Sequence, residues 1–307
     1  MNGKKILITG SNGQLGSFLM EYLRREYNVI GLDIRRSGNP LTDKHTVHAD
    51  IRENDKVKKL IRDVDYIVHT AAQIDINRSY EYPIQDADIN ILGTLNLLNA
   101  ARNSEKLQHF IYVSSSAVYG KAQYMPIDED HPIKPISPYG VSKYSAELYC
   151  KMYEGHYSLP TTCLRLFNMY GSKQDFLAPP NNVIWKFMAN IKKNEPLKIE
   201  GDGSQLKDFV HVSDVAAFIG LILEKDVNGN VYNVGSGKPT SILDVARLML
   251  QKSGKQEADN ILFVEKENDI IQNNYADISN AKKLGYAPQI SIERGIEWFM
   301  EQNMSKC

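Results

Sequence analysis

The sequence predicts an α/β fold: a doubly wound parallel sheet with a smaller C-terminal α/β lobe. Short β-branched runs alternate with longer amphipathic stretches through the first half of the chain, as in right-handed βαβ crossovers. The runs are almost continuously apolar, for example at residues 110–113, which is typical of a sheet covered on both faces. After about residue 168 the alternation loosens, and prolines at 179–180 interrupt the chain. These features favour a large first domain and a smaller second part.

Each predicted element follows from the spacing of apolar residues. Strands are expected at residues 6–9, 29–33, 47–50, 67–70, 110–114 and 162–167, and helices between them at 14–25, 55–62, 89–101 and 138–157. Later helices are expected at 183–192, 213–223, 242–251 and 292–301, with strands at 197–200 and 231–234. We therefore expect a first domain over 1–168, to which 208–235 return. A smaller lobe would comprise 169–207 and 236–307, and a binding cleft would separate the two.

Composition excludes several classes of function. The 307 residues include 36 Lys+Arg and 37 Asp+Glu, so the net charge of −1 offers no basic surface for nucleic acid or an anionic membrane. Cys150, Cys163 and Cys307 are odd in number and lack metal-ligand spacing, so we expect neither a disulfide framework nor a metal, and Cys163 as a buried strand residue. The first strand begins almost at once, and the apolar run at 216–223 is too short to span a bilayer. A cytoplasmic protein is expected.

A glycine-rich turn joins the first strand to the first helix. Its glycines follow a G-x-x-G-x-x-G spacing, which suits a tight turn, close approach of a pyrophosphate and an anion held at the helix N-terminus. Asp33 closes the second strand some 20 residues later, the context that a Rossmann-type dinucleotide site requires. The residues expected to contact the cofactor here are Gly10, Asn12, Gly13, Gln14, Leu15, Gly16, Asp33, Ile34 and Arg35.

The choice of dinucleotide depends on Asp33. Its carboxylate would accept hydrogen bonds from the adenosine ribose and repel a 2′-phosphate, which favours NAD. Arg35 and Arg36 follow directly and are typical of sites that accommodate NADP, so the alternative stays open. Asp50 and Ile51, after the third strand, are expected to meet the adenine, although a plain surface turn explains them nearly as well.

Tyr139 and Lys143 lie four residues apart at the start of a predicted helix, so both face the same ligand. A free tyrosine titrates near pH 10, but a nearby ammonium and a positively charged nicotinamide would lower its pKa. The pair could therefore take a proton from a sugar or alcohol hydroxyl. Of the 17 tyrosines, only Tyr139 has Lys at the fourth following position.

Several stretches in a fixed order carry a family resemblance. They are residues 9–16, Asp33, 68–73 (VHTAAQ), 90–98 (NILGTLNLL), 114–120 (SSSAVYG), 139–143 (YGVSK), 165–171 (RLFNMYG) and 201–212 (GDGSQLKDFVHV). Together they resemble the extended short-chain dehydrogenase/reductase family, in its NAD-dependent nucleotide-sugar epimerase/dehydratase branch, and especially UDP-glucose 4-epimerase-like enzymes.

The resemblance implies a role for individual residues. Thr70, Ala71, Ala72 and Gln73 would run beside the nicotinamide ribose, with Asn90 and Phe167 as further cofactor contacts. Ser115 would be the catalytic serine, although Ser114 and Ser116 leave this assignment uncertain by one place. Tyr139 would be the base, and Lys143 would hold both the phenolate and the ribose. The residues implied in binding a nucleotide-diphosphate sugar are Ser115, Ser116, Asn168, Asn182, Lys207 and Lys266.

Two of these positions depart from the family pattern. Lys207 and Lys266 stand where the family usually has arginines that grip the diphosphate. An ammonium keeps the charge but loses the two-pronged geometry of a guanidinium, and solvated surface lysines are an alternative interpretation.

The reaction class depends on the two residues after Ser115. The 4,6-dehydratases of the family have Asp-Glu at these positions, but this chain has Ser116-Ala117, which cannot move the protons of an elimination. A 4-epimerase needs no group beyond Ser115, Tyr139 and Lys143. The alternatives are a C4 dehydrogenase or 4-keto reductase with the same residues, and a non-catalytic NAD-binding regulator. The resemblance also implies a homodimer through the helices at 89–101 and 138–157.

Overall fold

Seven parallel strands form the central sheet of the computed structural model, which describes residues 3–37, 40–171, 182–225, 227–265 and 273–304. The strands in chain order are β1 (Lys5–Thr9), β2 (Asn28–Asp33), β3 (Thr46–His48), β4 (Tyr66–His69), β5 (His109–Ser115), β6 (Thr161–Leu166), β7 (Asn168–Tyr170), β8 (Leu197–Glu200), β9 (Leu206–His211), β10 (Asn230–Val234), β11 (Pro239–Ser241) and β12 (Ile261–Val264). The large sheet has the order β10-β6-β5-β4-β1-β2-β3, and all its neighbours pair in parallel.

Helices connect and cover these strands. They are α1 (Gln14–Leu23), α2 (Pro40–Lys44), α3 (Asn54–Ile61), α4 (Ile76–Glu81), α5 (Pro83–Ala87), α6 (Gly93–Ala101), α7 (Pro138–Tyr157), α8 (Val183–Lys193), α9 (Val212–Lys225), α10 (Ile242–Lys252), α11 (Ser279–Lys283) and α12 (Ile292–Met304). A π-helical turn at Asp88–Leu92 leads into α6, and a 3₁₀ turn at Ser116–Tyr119 follows β5. No helix among the described residues is long and apolar enough to cross a membrane.

The apolar residues of the large sheet are buried on both faces. Helices α1 and α9 pack on one face, where Leu19 and Ile219 join the core. Helices α3, α6 and α7 cover the other, where Val57, Leu97 and Ala146 are buried. The predicted α/β fold with a doubly wound parallel sheet is therefore confirmed.

A third core lies beyond the large sheet. Helices α8, α10 and α12 bury Phe187, Met249 and Phe299 together with Tyr170. Two small sheets adjoin them: β11-β9-β7 and β12-β8. Because β10 returns to pair with β6, the chain passes more than once between this region and the large sheet. The division at residue 168 stays a prediction.

The stretch before α6 differs from the sequence prediction. A single helix is expected from residue 89, but α4, α5 and the π-helical turn precede α6. Pro83 begins α5 because its fixed φ suits the first helical position and cannot continue the helix before it. The third predicted strand is also shorter, since β3 ends at His48 and leaves Asp50 and Ile51 in the following turn.

Two helical glycines should respond to alanine in opposite ways. A Cβ on Gly295 in α12 would lie 2.0 Å from the hydroxyl oxygen of buried Tyr170, whereas a Cβ on Gly155 in α7 meets nothing within 4 Å. We expect Gly295→Ala to lower the free energy of unfolding by about 2 kcal/mol through overpacking. Gly155→Ala should raise it by up to about 1 kcal/mol through helix propensity. Urea denaturation measures both, and equal effects would contradict the packing of α12 on Tyr170.

Candidate active site

The glycine-rich turn brings three backbone segments into contact. Gly10 has φ +68°, and a Cβ there would lie 2.7 Å from the amide nitrogen of Ala71. A Cβ on Gly16 would lie 2.0 Å from the carbonyl oxygen of Gly10. Only glycine therefore allows β1, α1 and the segment after β4 to approach this closely.

The N-terminus of α1 is open toward this turn. Its N-cap residue, Gly13, has no side chain to cap the first amides, so the positive end of the helix is available to an anion. Asn12 Oδ1 and Gln14 Nε2 are buried without a hydrogen-bond partner among the described residues. Gln14 Nε2 is a donor at this uncapped helix end and fits a bound pyrophosphate, whereas Asn12 Oδ1 is an acceptor and does not. Leu15 is buried beneath the turn.

Asp33 is held in place at the end of β2. Its carboxylate accepts hydrogen bonds from the backbone amides of Asn12 (2.9 Å) and Arg35 (2.8 Å). The Arg35 side chain approaches the same carboxylate at 3.7 Å, while Ile34 is exposed. The Arg35 side chain therefore pairs with Asp33, and the Asp33 carboxylate is the kind of hydrogen-bond acceptor that a ribose needs.

A chain of buried hydrogen bonds fixes the segment after β4. Thr9 Oγ1 contacts His69 Nδ1 at 2.7 Å, and His69 Nε2 contacts Thr94 Oγ1 at 2.9 Å. Because Thr94 donates to the carbonyl oxygen of Asn90, its oxygen accepts from His69, which assigns the proton of His69 to Nε2. Burial lowers the pKa of His69 well below its usual value, so the ring is neutral. The amide of Ala71 donates to Thr9 and closes the chain.

The remaining predicted cofactor residues follow that segment. Thr70 Oγ1 donates to the carbonyl oxygen of Thr9 at 2.7 Å, and Ala72 is half-buried beside it. The amide of Gln73 donates to Asn90 Oδ1 at 2.8 Å, and Asn90 Nδ2 donates to Gln73, Asp86 and Ser142. Asn90 therefore shapes the segment from within the protein, while direct cofactor contact by its side chain stays a prediction.

Asp50 and Ile51 lie near the expected adenine end. Asp50 pairs with the Arg52 guanidinium, and these hydrogen bonds lower the pKa of the carboxyl. Ile51 is buried, and its carbonyl oxygen accepts from Asn96. The adenine contact stays a prediction.

Ser115, Tyr139 and Lys143 come together where α7 crosses the end of β5. Ser137 caps the helix by accepting from the amide of Gly140, and Pro138 occupies the first helical turn. Tyr139 and Lys143 are both buried. Tyr139 is hydrogen-bonded to Ser115, and Lys143 Nζ donates to the carbonyl oxygen of Val113 at 2.7 Å. Of the three adjacent serines, Ser115 is the one that meets the tyrosine.

Burial shifts the pKa of both Tyr139 and Lys143 in this group. Burial raises the pKa of Tyr139 to about 12, although the hydrogen bond with Ser115 lowers it in part. Burial also lowers the pKa of Lys143 to about 8. Burial therefore dominates in the chain alone, and the lowering of the tyrosine pKa expected with Lys143 and a bound nicotinamide stays a prediction.

Phe167, predicted as a cofactor contact, is buried against Tyr119, with ring centroids 6.4 Å apart. The predicted substrate residues lie on different elements. Asn168 Nδ2 donates to the carbonyl oxygen of Asp208, and Asn182 caps α8. Lys207 is half-buried in β9, where desolvation lowers its pKa to about 8. Lys266 lies outside the described residues.

Asn274 is a candidate that the sequence patterns do not single out. Its Nδ2 donates to Ser116 Oγ at 3.1 Å, and its backbone bridges to Lys207. Its Oδ1 is buried without a hydrogen-bond partner among the described residues. It therefore lies between the serine turn and the expected diphosphate residue. No local motif marks it, because only the fold brings residue 274 to this position.

The model of the NAD dependent epimerase/dehydratase family matches residues 6–235. The chain belongs to this family. A putative UDP-glucose 4-epimerase of Methanocaldococcus jannaschii is 37% identical over 308 residues, with 97% of this chain and 99% of that protein covered.

Solved structures show the same relationship. A UDP-N-acetylglucosamine 4-epimerase from Methanobrevibacter ruminantium has a TM-score of 0.92 at 30% identity and covers 100% of both chains. A dTDP-glucose 4,6-dehydratase from Streptomyces venezuelae, solved with NAD bound, has a TM-score of 0.89 at 27% identity, with 98% and 97% covered. The predicted family resemblance and the NAD cofactor are confirmed, and the chain is an NAD-dependent epimerase/dehydratase family enzyme.

Replacing Gly16 by alanine should weaken NAD binding in this family member. The new Cβ would press on the carbonyl oxygen of Gly10 and move the turn away from α1. We expect the Kd for NAD⁺, measured by calorimetry, to rise at least about tenfold, or about 1.4 kcal/mol. Ser17→Ala, one position further along α1, is the matched control and should bind like the unmodified chain. Unchanged affinity in Gly16→Ala would contradict the glycine-rich turn as the binding site.

Proposed function

We propose that the protein is a nucleotide-sugar 4-epimerase that works through a transient 4-keto sugar. The observation that carries the proposal is the group of half-buried Ser115 with buried Tyr139 and Lys143, next to which Ser116 and Ala117 offer no carboxylic acid. This set can take a proton from one hydroxyl and return it, and a 4-epimerisation asks for no other acid or base.

In the first half-reaction Tyr139 takes the proton of the sugar C4 hydroxyl while C4 loses a hydride. Ser115 holds that hydroxyl through the same hydrogen bonding that reaches Tyr139. Lys143 stabilises the phenolate from one helical turn away. Bound NAD⁺ accepts the hydride, and its positively charged nicotinamide lowers the tyrosine pKa from its value of about 12 in the chain alone.

In the second half-reaction the keto sugar rotates in the pocket. C4 would then receive the hydride back from the reduced cofactor on its opposite face, while Tyr139 returns the proton to the C4 oxygen. The sugar must then be held mainly through its diphosphate. We assign that role to Lys207 and Asn168, and contact with a hydroxyl or amide of the sugar to Asn274; the bridge between Lys207 and Asn274 and the bond from Asn274 to Ser116 support this. The relatives named for UDP-sugars make a UDP-hexose the first substrate to test.

A 4,6-dehydratase is the competing reaction within the family. It must remove a proton from C5 and protonate the leaving hydroxyl at C6, which needs an acid and a base close to Ser115. Ser116 instead accepts a hydrogen bond from Asn274, and Ala117 has no ionisable group. We therefore place this chain with the epimerases.

The reaction is tested with UDP-hexoses and UDP-N-acetylhexoses deuterated at C4, without added NADH. We expect the two C4 epimers of one sugar to interconvert with the deuterium retained, as read by NMR. Accumulation of NADH in proportion to substrate would instead indicate a C4 dehydrogenase. In a second assay, supplied with NADH and a 4-keto nucleotide sugar, consumption of NADH would indicate a reductase. A 4-keto-6-deoxy product would indicate a dehydratase. Each of these three outcomes contradicts the proposal.

Removing the Tyr139 hydroxyl should abolish most of the turnover. Without the base, we expect Tyr139→Phe to lower kcat roughly a thousandfold while the Kd for NAD⁺ changes little. Tyr144→Phe, on the same helix outside the proposed catalytic group, is the control and should keep its activity. Full kcat in Tyr139→Phe would contradict the assignment of Tyr139 as the base. Full biological activity of that variant would instead indicate a non-catalytic, NAD-binding role.

We further propose that two copies associate through α6 and α7. Leu92, Val141, Leu148 and Met152 expose large apolar side chains on or beside these helices. An exposed apolar surface of this kind favours association with a second protein surface. The two helices also contact each other, so they present one continuous face.

The oligomeric state tests this face. Sedimentation velocity at micromolar concentration should give a dimer, and Leu148→Glu should give a monomer because it places a charge in the interface. Leu148 is 50% exposed, and Leu262 on β12 is 46% exposed, so Leu262→Glu is a matched control that should remain dimeric. A monomeric unmodified chain would overturn the proposal.

A further inference from the structure

Three residues spaced by one helical turn on α7 hold three consecutive residues of β5. Tyr139 is hydrogen-bonded to Ser115, and Lys143 donates to the carbonyl oxygen of Val113. Glu147, the next in the series, accepts a hydrogen bond of 2.5 Å from Ser114 Oγ. The first two contacts belong to the proposed catalytic group, whereas the third has no role in the proposed reaction.

Glu147 is a buried carboxylate that forms a salt bridge with Arg165. Its side chain is 4% exposed and that of Arg165 is 6% exposed, with Arg165 Nη2 at 2.8 Å from Glu147 Oε2. Arg165 Nε donates to both carboxylate oxygens at 3.2 Å. A buried ion pair with this many hydrogen bonds offsets the desolvation of its two charges.

Arg165 extends the network to the rest of the site. Its Nη1 donates to the hydroxyl of Tyr119 at 2.9 Å, and Tyr119 donates to Asn233 Oδ1 at 2.6 Å. The network therefore joins α7, the end of β5, the 3₁₀ turn after it, β6 and β10.

We infer that Glu147 is a positioning residue: it anchors Ser114 beside Ser115 and presents its negative charge to Lys143 from the next turn of α7. The inference rests on the proposed function, because it gives Lys143 the role of a cation beside the phenolate. Anchoring Ser114 fixes the backbone from which Ser115 reaches the tyrosine. The charge opposes the loss of the Lys143 proton, which burial otherwise promotes.

Among the charged and titratable groups around Lys143, Glu147 does most to raise the pKa of its ammonium. Burial lowers the pKa of Lys143 to about 8, and Glu147 is the largest influence that raises it. The Tyr112 ring lies under the ammonium at 4.4 Å. His69 on β4 is neutral. The other titratable groups that face Lys143 are Tyr139 and Cys150 on its own helix, Asp86 on α5 and Cys163 on β6.

The test compares two variants that damage the same salt bridge. Glu147→Gln removes the negative charge, whereas Arg165→Lys keeps it but loses the two-pronged hydrogen bonding. Both should unfold at lower urea concentration than the unmodified chain. The discriminating measurement is the titration of Lys143 in NAD⁺-saturated protein, read by NMR of ¹³C-labelled lysine and assigned with Lys143→Arg.

We expect Glu147→Gln to shift the Lys143 titration to lower pH by about one unit, because the charge that favours the ammonium is gone. Arg165→Lys should leave the titration within a few tenths of a unit. The alkaline limb of the kcat profile should move with it, to lower pH in Glu147→Gln only. Ser114→Ala, which removes only the anchored hydroxyl, should lower kcat about tenfold without moving that limb or changing KM.

Equal Lys143 titrations in Glu147→Gln and Arg165→Lys would overturn the inference, as would full kcat in Ser114→Ala. Should Glu147→Gln not fold, Glu147→Gln/Arg165→Met replaces the pair by neutral side chains and is expected to show the same shift. The titration needs no substrate. Absence of turnover on every nucleotide sugar would therefore reject the proposed function, while the titration would still decide the role of Glu147.

Discussion

The site depends on the close contact between α7 and the carboxyl end of β5. Gly140 makes that contact possible, since a Cβ there would lie 2.7 Å from the carbonyl oxygen of Ala117 in the turn after β5. Because the helix lies this close, Tyr139 and Lys143 are buried against the end of the strand rather than exposed to solvent. In the proposed function, chemistry, cofactor and substrate meet at this edge of the sheet.

Burial at this contact sets the working charges of the site. A buried tyrosine prefers its neutral form and a buried lysine also prefers its neutral form, so the chain alone opposes the phenolate–ammonium pair that a proton transfer needs. Glu147 opposes that tendency from one side, and a positively charged nicotinamide would oppose it from the other. In the proposed reaction, the phenolate–ammonium pair therefore depends on the bound cofactor and is disfavoured when no cofactor is bound.

The sequence predicted those parts of the molecule whose signals are local. The strands of the large sheet, the helix at Pro138–Tyr157, the glycine-rich turn and the Tyr139–Lys143 spacing all follow from nearby residues. Contacts distant in sequence were not predictable. Nothing near residue 274 marks its approach to Ser116, and the short helices before α6 depend on Pro83 and on packing against α7. The burial of Tyr139, which raises its pKa in the chain alone, was also not predictable, because spacing predicts a shared helix face but not burial.

The two ends of the site differ in how fully the protein itself satisfies its polar groups. At the reaction end, Ser114, Glu147 and Arg165 hold one another in closed hydrogen bonds. At the substrate end, Asn274 keeps an unpartnered buried oxygen among the described residues, and burial lowers the pKa of Lys207. A bound diphosphate would favour the protonated form of Lys207. A hydrogen-bond donor on the sugar would give Asn274 Oδ1 a partner. A lysine grips an anion without fixing its orientation, in contrast to the fork of an arginine. That difference suits an enzyme whose sugar must turn while its diphosphate stays bound.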